Sequence, residues 1–198
     1  MSAFITLRNT LLLPLALLAA CSGYVGTARD FDPQRLETEP GWLQAPGIVP
    51  ILQKAEKDCG AAVIAMALTY WGDPTTMEAV LTGCPITPEG LKAGDLRDFV
   101  RKQGLKAFLF HGTLSDLEKE LSHQRPVVVG MVKPHLTGGL THYEVVAALH
   151  LAQRCVVTLD PAQGWRINSF EGFDAEWNPT GRLTLVLFTS SSTQEQDK

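Results

Sequence analysis

Cys59 stands between Asp58 and Gly60 and directly precedes the apolar run from Ala61 to Leu68. A thiol at the mouth of an apolar helix meets free backbone N–H groups and the positive end of the helix dipole, which favour a thiolate. That is the chemistry of a nucleophile aimed at a carbonyl carbon. Gln53 lies six residues upstream. Its side-chain amide and the cysteine's own N–H could together hold the oxyanion that forms on attack. The competing reading makes Cys59 a structural core cysteine, and Gln53 alone would be an ordinary solvated side chain.

A thiolate needs an imidazole partner, and the imidazole needs an orienting group. The chain offers five histidines. His142 follows the glycine-containing stretch 137–141 and opens the β-like run His142-Tyr-Glu-Val-Val-Ala-Ala. A residue at a strand's start, after such a loop, can project into a cleft while the strand fixes its backbone. His135 is its rival, and His111, His123 and His150 read as surface or structural residues. Asp160 ends the next apolar run, Val156 to Leu159, and precedes Pro161. Two adjacent antiparallel strands would bring the start of one beside the end of the other, so Asp160 could accept from one imidazole nitrogen and set its tautomer. Equally, Asp160 could only cap the Asp-Pro turn, and Asp58 reads as a helix-cap or loop residue.

The elements that must position these groups follow from periodicity. A first helix is expected from about Cys59 to about Tyr70, buried all round and stopped by Gly72 and Pro74. A short helix is expected near 76–81. An amphipathic helix over 93–104 carries Leu96, Phe99 and Val100 at i, i+3 and i+4. Strand 105–110 and a helix over 113–122 follow, the latter with Ser115 and Glu118 spaced as a capping box. Strands are expected at 127–132, 142–149, 155–159, 165–168 and 183–188, with turns at 160–164 and 178–181. Trp165 and Trp177 read as core or cleft wall. Helices first and antiparallel strands last define an α+β domain.

The composition, 45% hydrophobic and 19% charged with a net charge of −4, fits one globular domain and argues against nucleic acid as a partner. The N-terminus reads separately. Arg8 precedes the apolar stretch Leu11 to Ala20, too short to span a bilayer and arranged as an export signal. Leu18-Ala-Ala-Cys21 resembles a bacterial lipobox, which implies lipidation at Cys21 and, with Ser22 rather than Asp next, residence on the periplasmic face of the outer membrane. The expected organisation is a signal peptide at 1–20, a lipidated tether at 21–46, a folded domain at 47–189 and a flexible tail at 190–198. With Cys21 lipidated in an oxidising compartment, three cysteines remain, which fits one pair and one free thiol. A Cys84–Cys155 bridge would leave Cys59 free, although sequence alone does not establish that pairing. No His/Cys group has metal-ligand spacing, and no cofactor is expected.

Taken together, Gln53, Asp58-Cys59-Gly60, His142 in an apolar strand, and Asp160-Pro161 with Gly164 resemble the C39 peptidases. These are papain-like cysteine proteases best known from bacteriocin exporters. The resemblance covers about residues 47–189. It implies a papain-like fold with Cys59 as nucleophile, His142 as its partner, Asp160 as orienter and Gln53 as oxyanion donor. It further implies a peptide or protein substrate. The chain carries no transporter, so its layout is closer to exported stand-alone members, some of them linked to secretion or surface-fibre assembly. A secreted protein, a fibre subunit or an outer-membrane secretion component is therefore an expected partner. Two other classes share these residues: a non-catalytic binding module, and a thiol amidase or acyltransferase on a related fold.

Overall fold

A computed structural model describes residues 27–133 and 141–190. The signal peptide, Cys21, His135 and the tail beyond residue 190 lie outside the described residues. Three strands, β1 (Arg29–Asp30), β2 (Trp42–Gln44) and the paired β-hairpin strand β3 (Ile86–Thr87), occur early, the last with β4 (Gly90–Leu91). The main strands are β5 (Lys106–His111), β6 (Val127–Val132), β7 (Thr141–His150), β8 (Cys155–Asp160), β9 (Gly164–Ser169) and β10 (Leu183–Phe188). The helices are α1 (Arg35–Thr38), α2 (Cys59–Tyr70), α3 (Met77–Gly83), α4 (Ala93–Lys102), α5 (Leu114–Ser122) and α6 (Phe170–Trp177).

The main sheet runs in the order β1-β9-β8-β7-β6-β10-β5, with β2 on the second half of β7, and its neighbouring strands are antiparallel. Its centre reads as near-continuous β-branched sequence, Val127 to Val129 against Val145 and Val146, because both faces are covered. The α+β architecture expected from the sequence is the one observed.

Helix α2 is the central element. Every residue from Cys59 to Leu68 is buried. Its repeated alanines let it approach β7, while Ile64, Met66 and Leu68 belong to the same buried core as Leu96 and Val100 of α4. Truncating one such buried Leu or Ile costs about 2–5 kcal/mol. Gly60 packs closely at its place: a Cβ there would lie 3.2 Å from Leu91 and Leu96 and 3.4 Å from Tyr143.

Four expectations change. Within the expected tether at 21–46, residues 29–30 and 42–44 pair into the sheet as β1 and β2, with α1 between them. Phe31, Leu36, Ala148 and Val157 form a second apolar cluster with Trp42 and Trp165 packed on it, and Arg166 donates to the carbonyl of Ala28 and pairs with Asp30. Helix α6 and the β3–β4 hairpin have no counterpart in the expected elements. The capping box is Thr113 with Asp116, because the helix starts at Leu114 and the cap is the residue just before it. Finally, the Cys84–Cys155 bridge is not formed, and both thiols are free. Cys84 ends α3 and contacts the carbonyl of Asp95 on α4, whereas Cys155 opens β8 opposite Ser169 of β9, so the fold holds them in different layers. Among the described residues no helix is long and apolar enough to cross a membrane.

Candidate active site

Cys59 is the first residue of α2, and Asp58 precedes it as the N-cap without a side-chain cap bond. Asp58 instead accepts from the Ala55 N–H through its carboxylate and from Ala62 N–H through its carbonyl, closing the turn that delivers the thiol. The first N–H groups of a helix have no intrahelical partner, so the thiol sits where backbone donors and the dipole meet negative charge.

His142 is held by register. Met131 of β6 lies opposite it, and Tyr143 beside it donates from its hydroxyl to the Leu91 carbonyl at 3.0 Å. This bond ties the histidine's strand to the β4 wall. On the other edge of β7, β8 runs antiparallel with Val145 opposite Leu159, which brings the next residue, Asp160, back to the strand's start. His142 Nε2 and Asp160 Oδ1 are 2.8 Å apart, and both side chains are buried. Oδ1 also accepts from the Ala162 N–H at 2.7 Å, so the turn after β8 fixes the carboxylate's orientation. Gly164, at φ +81°, closes that turn in a conformation that favours glycine.

With Nε2 engaged by Asp160, the ring's Nδ1 is the nitrogen left for Cys59, which lines the same recess. Burial opposes charge on His142. The hydrogen bonds to Asp160 and Cys59, together with the charges of Asp160 and Glu144, outweigh it and push the imidazole up to about 10. Asp160 moves the other way: burial would raise it, but the His142 bond and charge hold it below the usual aspartate range. Both directions favour an imidazolium clamped by a carboxylate beside the thiol.

Gln53 is half-buried on the segment leading into α2. Its backbone N–H donates to the Pro161 carbonyl at 2.8 Å, linking it to the Asp160 turn. Its side-chain amide donates to the Ala55 carbonyl at 3.0 Å and, at the longer distance of 3.5 Å, to the Glu56 carbonyl, so it is turned into the loop before α2. Cys59, His142 and Asp160 are thus brought together, while Gln53 stands next to them through the chain on either side.

The recess over the thiol is lined by Glu56, Lys57, Cys59, Gly90, Leu91 and His142, with a free volume of about 20 Å³. That admits one small group and no bulky side chain. The β3–β4 hairpin supplies its far wall and was missed from the sequence, although the two-residue Pro88-Glu89 connection between Thr87 and Gly90 was the available signal. Two further charged groups lie against the site without having been singled out, Lys133 and Glu144. The one cue for them was a glutamate within an otherwise apolar strand. His111, at the end of β5, contacts the Gly181 carbonyl, and His150 receives the Gln153 N–H, which fits structural roles for both. Trp177 is core, fully buried and donating to the Leu183 carbonyl, and Trp165 packs near Phe31.

A thiol at a helix N-terminus, an imidazole on an antiparallel strand and a carboxylate on the next strand are the arrangement of a cysteine peptidase. The sequence matches the Peptidase C39 family over residues 48–192, and the chain belongs to that family. Solved structures agree. The peptidase domain of Streptococcus ComA, a bifunctional ABC transporter of a quorum-sensing pathway, superposes with a TM-score of 0.62 at 22% identity, covering 72% of this chain and 99% of that one. The double-glycine-motif protease of an AMS/PCAT transporter, solved with its leader peptide, gives 0.59 at 25% identity, covering 73% and 92%. A C39-like peptidase from Bacillus anthracis gives 0.59 at 17% identity, covering 74% and 97%. No curated protein matches the chain. The protein is a cysteine peptidase with the papain-like fold of this family.

Proposed function

We propose that the protein is an envelope endopeptidase that cleaves through Cys59, His142 and Asp160, with Gln53 as oxyanion donor. The observation that carries this reading is the placement of the imidazole: His142 bonds Asp160 at 2.8 Å through Nε2 and lines the same recess as Cys59 at the start of α2. The Cys59 thiolate attacks the scissile carbonyl carbon, and the oxyanion is met by the Cys59 N–H and the Gln53 side-chain amide, which turns to it from the Ala55 and Glu56 carbonyls. Collapse breaks the C–N bond as the imidazolium gives its proton to the departing amine, leaving a thioester on Cys59. Water then gives a proton to His142 and attacks the thioester, releasing the acid and restoring the thiolate. Asp160 keeps Nε2 protonated throughout and stabilises the charged ring.

The narrow recess beside Gly90 and Leu91 supports a substrate with a small residue at the cut. The leader peptide bound by the related double-glycine protease is of that type. For this chain the substrate is a secreted or cell-envelope protein, and an outer-membrane secretion component is its proposed neighbour. The Leu18-Ala-Ala-Cys21 sequence supports anchoring through lipid on Cys21, on the periplasmic face of the outer membrane.

Thiol alkylation tests the catalytic reading without a known substrate. In the full chain, iodoacetamide at neutral pH is expected to label Cys59 well before Cys84 and Cys155, whose thiols burial pushes up, and His142→Ala should slow it. A Cys59 that labels no faster than the other two refutes the reading. Lipidation is tested by metabolic palmitate labelling, which Cys21→Ala should abolish along with membrane fractionation.

A further inference from the structure

Behind the His142–Asp160 pair lies a buried ionic group that the peptide-cleaving chemistry above does not use. Lys133, directly after β6, places its Nζ 2.5 Å from Glu144 Oε1 and 2.6 Å from Glu176 Oε2. All three side chains are at least 95% buried. Isolated charges in such a place are expensive, and an ion pair there is weak evidence for stability as such. Its position is more informative. Cross-strand partners share a face of the sheet and the faces alternate along each strand. The pairs Val129–Glu144 and Met131–His142 therefore put Glu144 and His142 on one face, and Lys133, two residues beyond Met131, follows on it. Atoms of His142, Glu144 and Asp160 all lie within 4.8 Å of one another. The imidazole thus faces two carboxylates rather than one. Helix α6 delivers Glu176 to the far side of the lysine.

We propose that Glu144, held in place by Lys133 and Glu176, is a positioning residue that acts as a second carboxylate on His142 and keeps its ring charged. Asp160 bonds the ring directly and sets its tautomer. Glu144 makes no hydrogen bond to the ring and acts through its charge at short range, undiluted by water. Lys133 serves as an internal counter-cation that permits two buried carboxylates beside one imidazole. It also faces Asp160 electrostatically and helps hold that carboxylate ionised. Among the described residues the groups facing His142 are therefore Cys59 from α2, Asp160 from β8 and Glu144 from its own strand, with Lys133 and Glu176 behind them and Glu56, Lys57 and Glu89 around the recess in front. Lys133 is held in a charged state: burial opposes the charge, but both glutamates raise it further. The consequence is an imidazolium beside Cys59 that persists well into alkaline pH, with its upper limit set by a residue that never touches the substrate.

This inference rests on His142 being the catalytic imidazole, but its test does not depend on turnover. The full chain would be labelled with 15N-histidine and titrated by NMR, with His142 assigned from the signal lost in His142→Ala. Glu144→Gln keeps the side-chain shape and leaves Lys133 paired to Glu176, so the fold is expected to hold, as checked by circular dichroism. The His142 midpoint is expected to fall by about one pH unit or more, a tenfold loss of imidazolium at a fixed alkaline pH, and Glu144→Asp should recover part of it. An unchanged midpoint in folded Glu144→Gln overturns the proposal. Should that variant not fold, Glu176→Gln answers the same question. It leaves Lys133 to neutralise Glu144 alone, so the midpoint should fall by a smaller amount, and no fall overturns the proposal. A shifted midpoint in a protein whose Cys59 proves unreactive would leave the coupling standing while removing the peptidase reading.

Discussion

The two halves of the cleft are built from different physics. The nucleophile's half is neutral: α2 is buried from Cys59 to Leu68, carries no charged side chain, and is fixed by close packing of alanines, Gly60, Leu91 and Leu96. The imidazole's half is ionic: His142, Asp160 and Glu144 from the sheet, Lys133 just after β6 and Glu176 from α6 bring together five ionisable side chains, all buried. A helix end supplies polarity through its backbone and tolerates apolar surroundings. A strand has only a small net dipole, so side-chain charge must do the same work there. Perturbations of shape should therefore act on the first half, and perturbations of charge on the second.

The sharpest test of that division is Cys59→Ala, which should abolish cleavage and leave the melting temperature nearly unchanged, measured by peptide hydrolysis and calorimetry. A large loss of stability would show that the thiol is a packing residue. Asp160→Asn keeps the shape but removes the charge, and should reduce the alkylation rate of Cys59 and lower kcat by a factor of about 10²–10⁴. Gln53→Ala should lower kcat by about 10²–10³ with little change in KM, the mark of an interaction made only in the transition state.

The pH dependence of stability is opposite in sign on the two members of the ionic pair. His142 is raised from an unfolded value near 6.5 to about 10, so its contribution is fully present below about pH 6.5 and is lost as the pH rises towards 10. Asp160 is lowered, so its contribution is present above about pH 4 and is lost on further acidification. Urea titrations should therefore show a maximum between about pH 4 and 6.5 that His142→Ala flattens. Smallest of all, Gly60→Ala should cost about 1 kcal/mol of stability through crowding against Leu91 and Tyr143. Its pH profile should stay unchanged, because the added methyl brings no charge near His142.

The neutral half was also the more legible in sequence. An apolar run flanked by Asp58-Cys59 and Gly72 names its helix and its boundaries, and α2 spans Cys59–Tyr70 as expected. The antiparallel partnership of β7 and β8 was equally readable, since two apolar runs separated by a short polar segment make a hairpin, and it carries His142 to Asp160. What stayed hidden depends on contacts distant in sequence. Arg29–Asp30 and Trp42–Gln44 are short and polar around their apolar residues, and become strands only because β9 and β7 offer them edges. Helix α6 has eight residues with a glycine inside, and its formation rests on Phe173 and Trp177 reaching the core. Glu144 looked like an interruption of an apolar strand, and its meaning required Lys133 from one neighbour and Glu176 from another.

The short strand β1 has a further consequence. Arg29 pairs with Ile167 and Asp30 with Arg166, and Thr27 bonds Asn168. Read backwards, the chain therefore leaves along β9 towards Ser169, whereas Asp160 and Gly164 mark the opposite end of the sheet, where His142 lies. Five residues lie between Cys21 and Thr27, a reach of at most about 20 Å. With lipid on Cys21, the enzyme would be held on a short leash by its back, its cleft pointing outward from the bilayer. It would then cut only polypeptide that arrives from the lumen or emerges beside it, so that orientation on the membrane, as much as the cleft itself, selects the substrate.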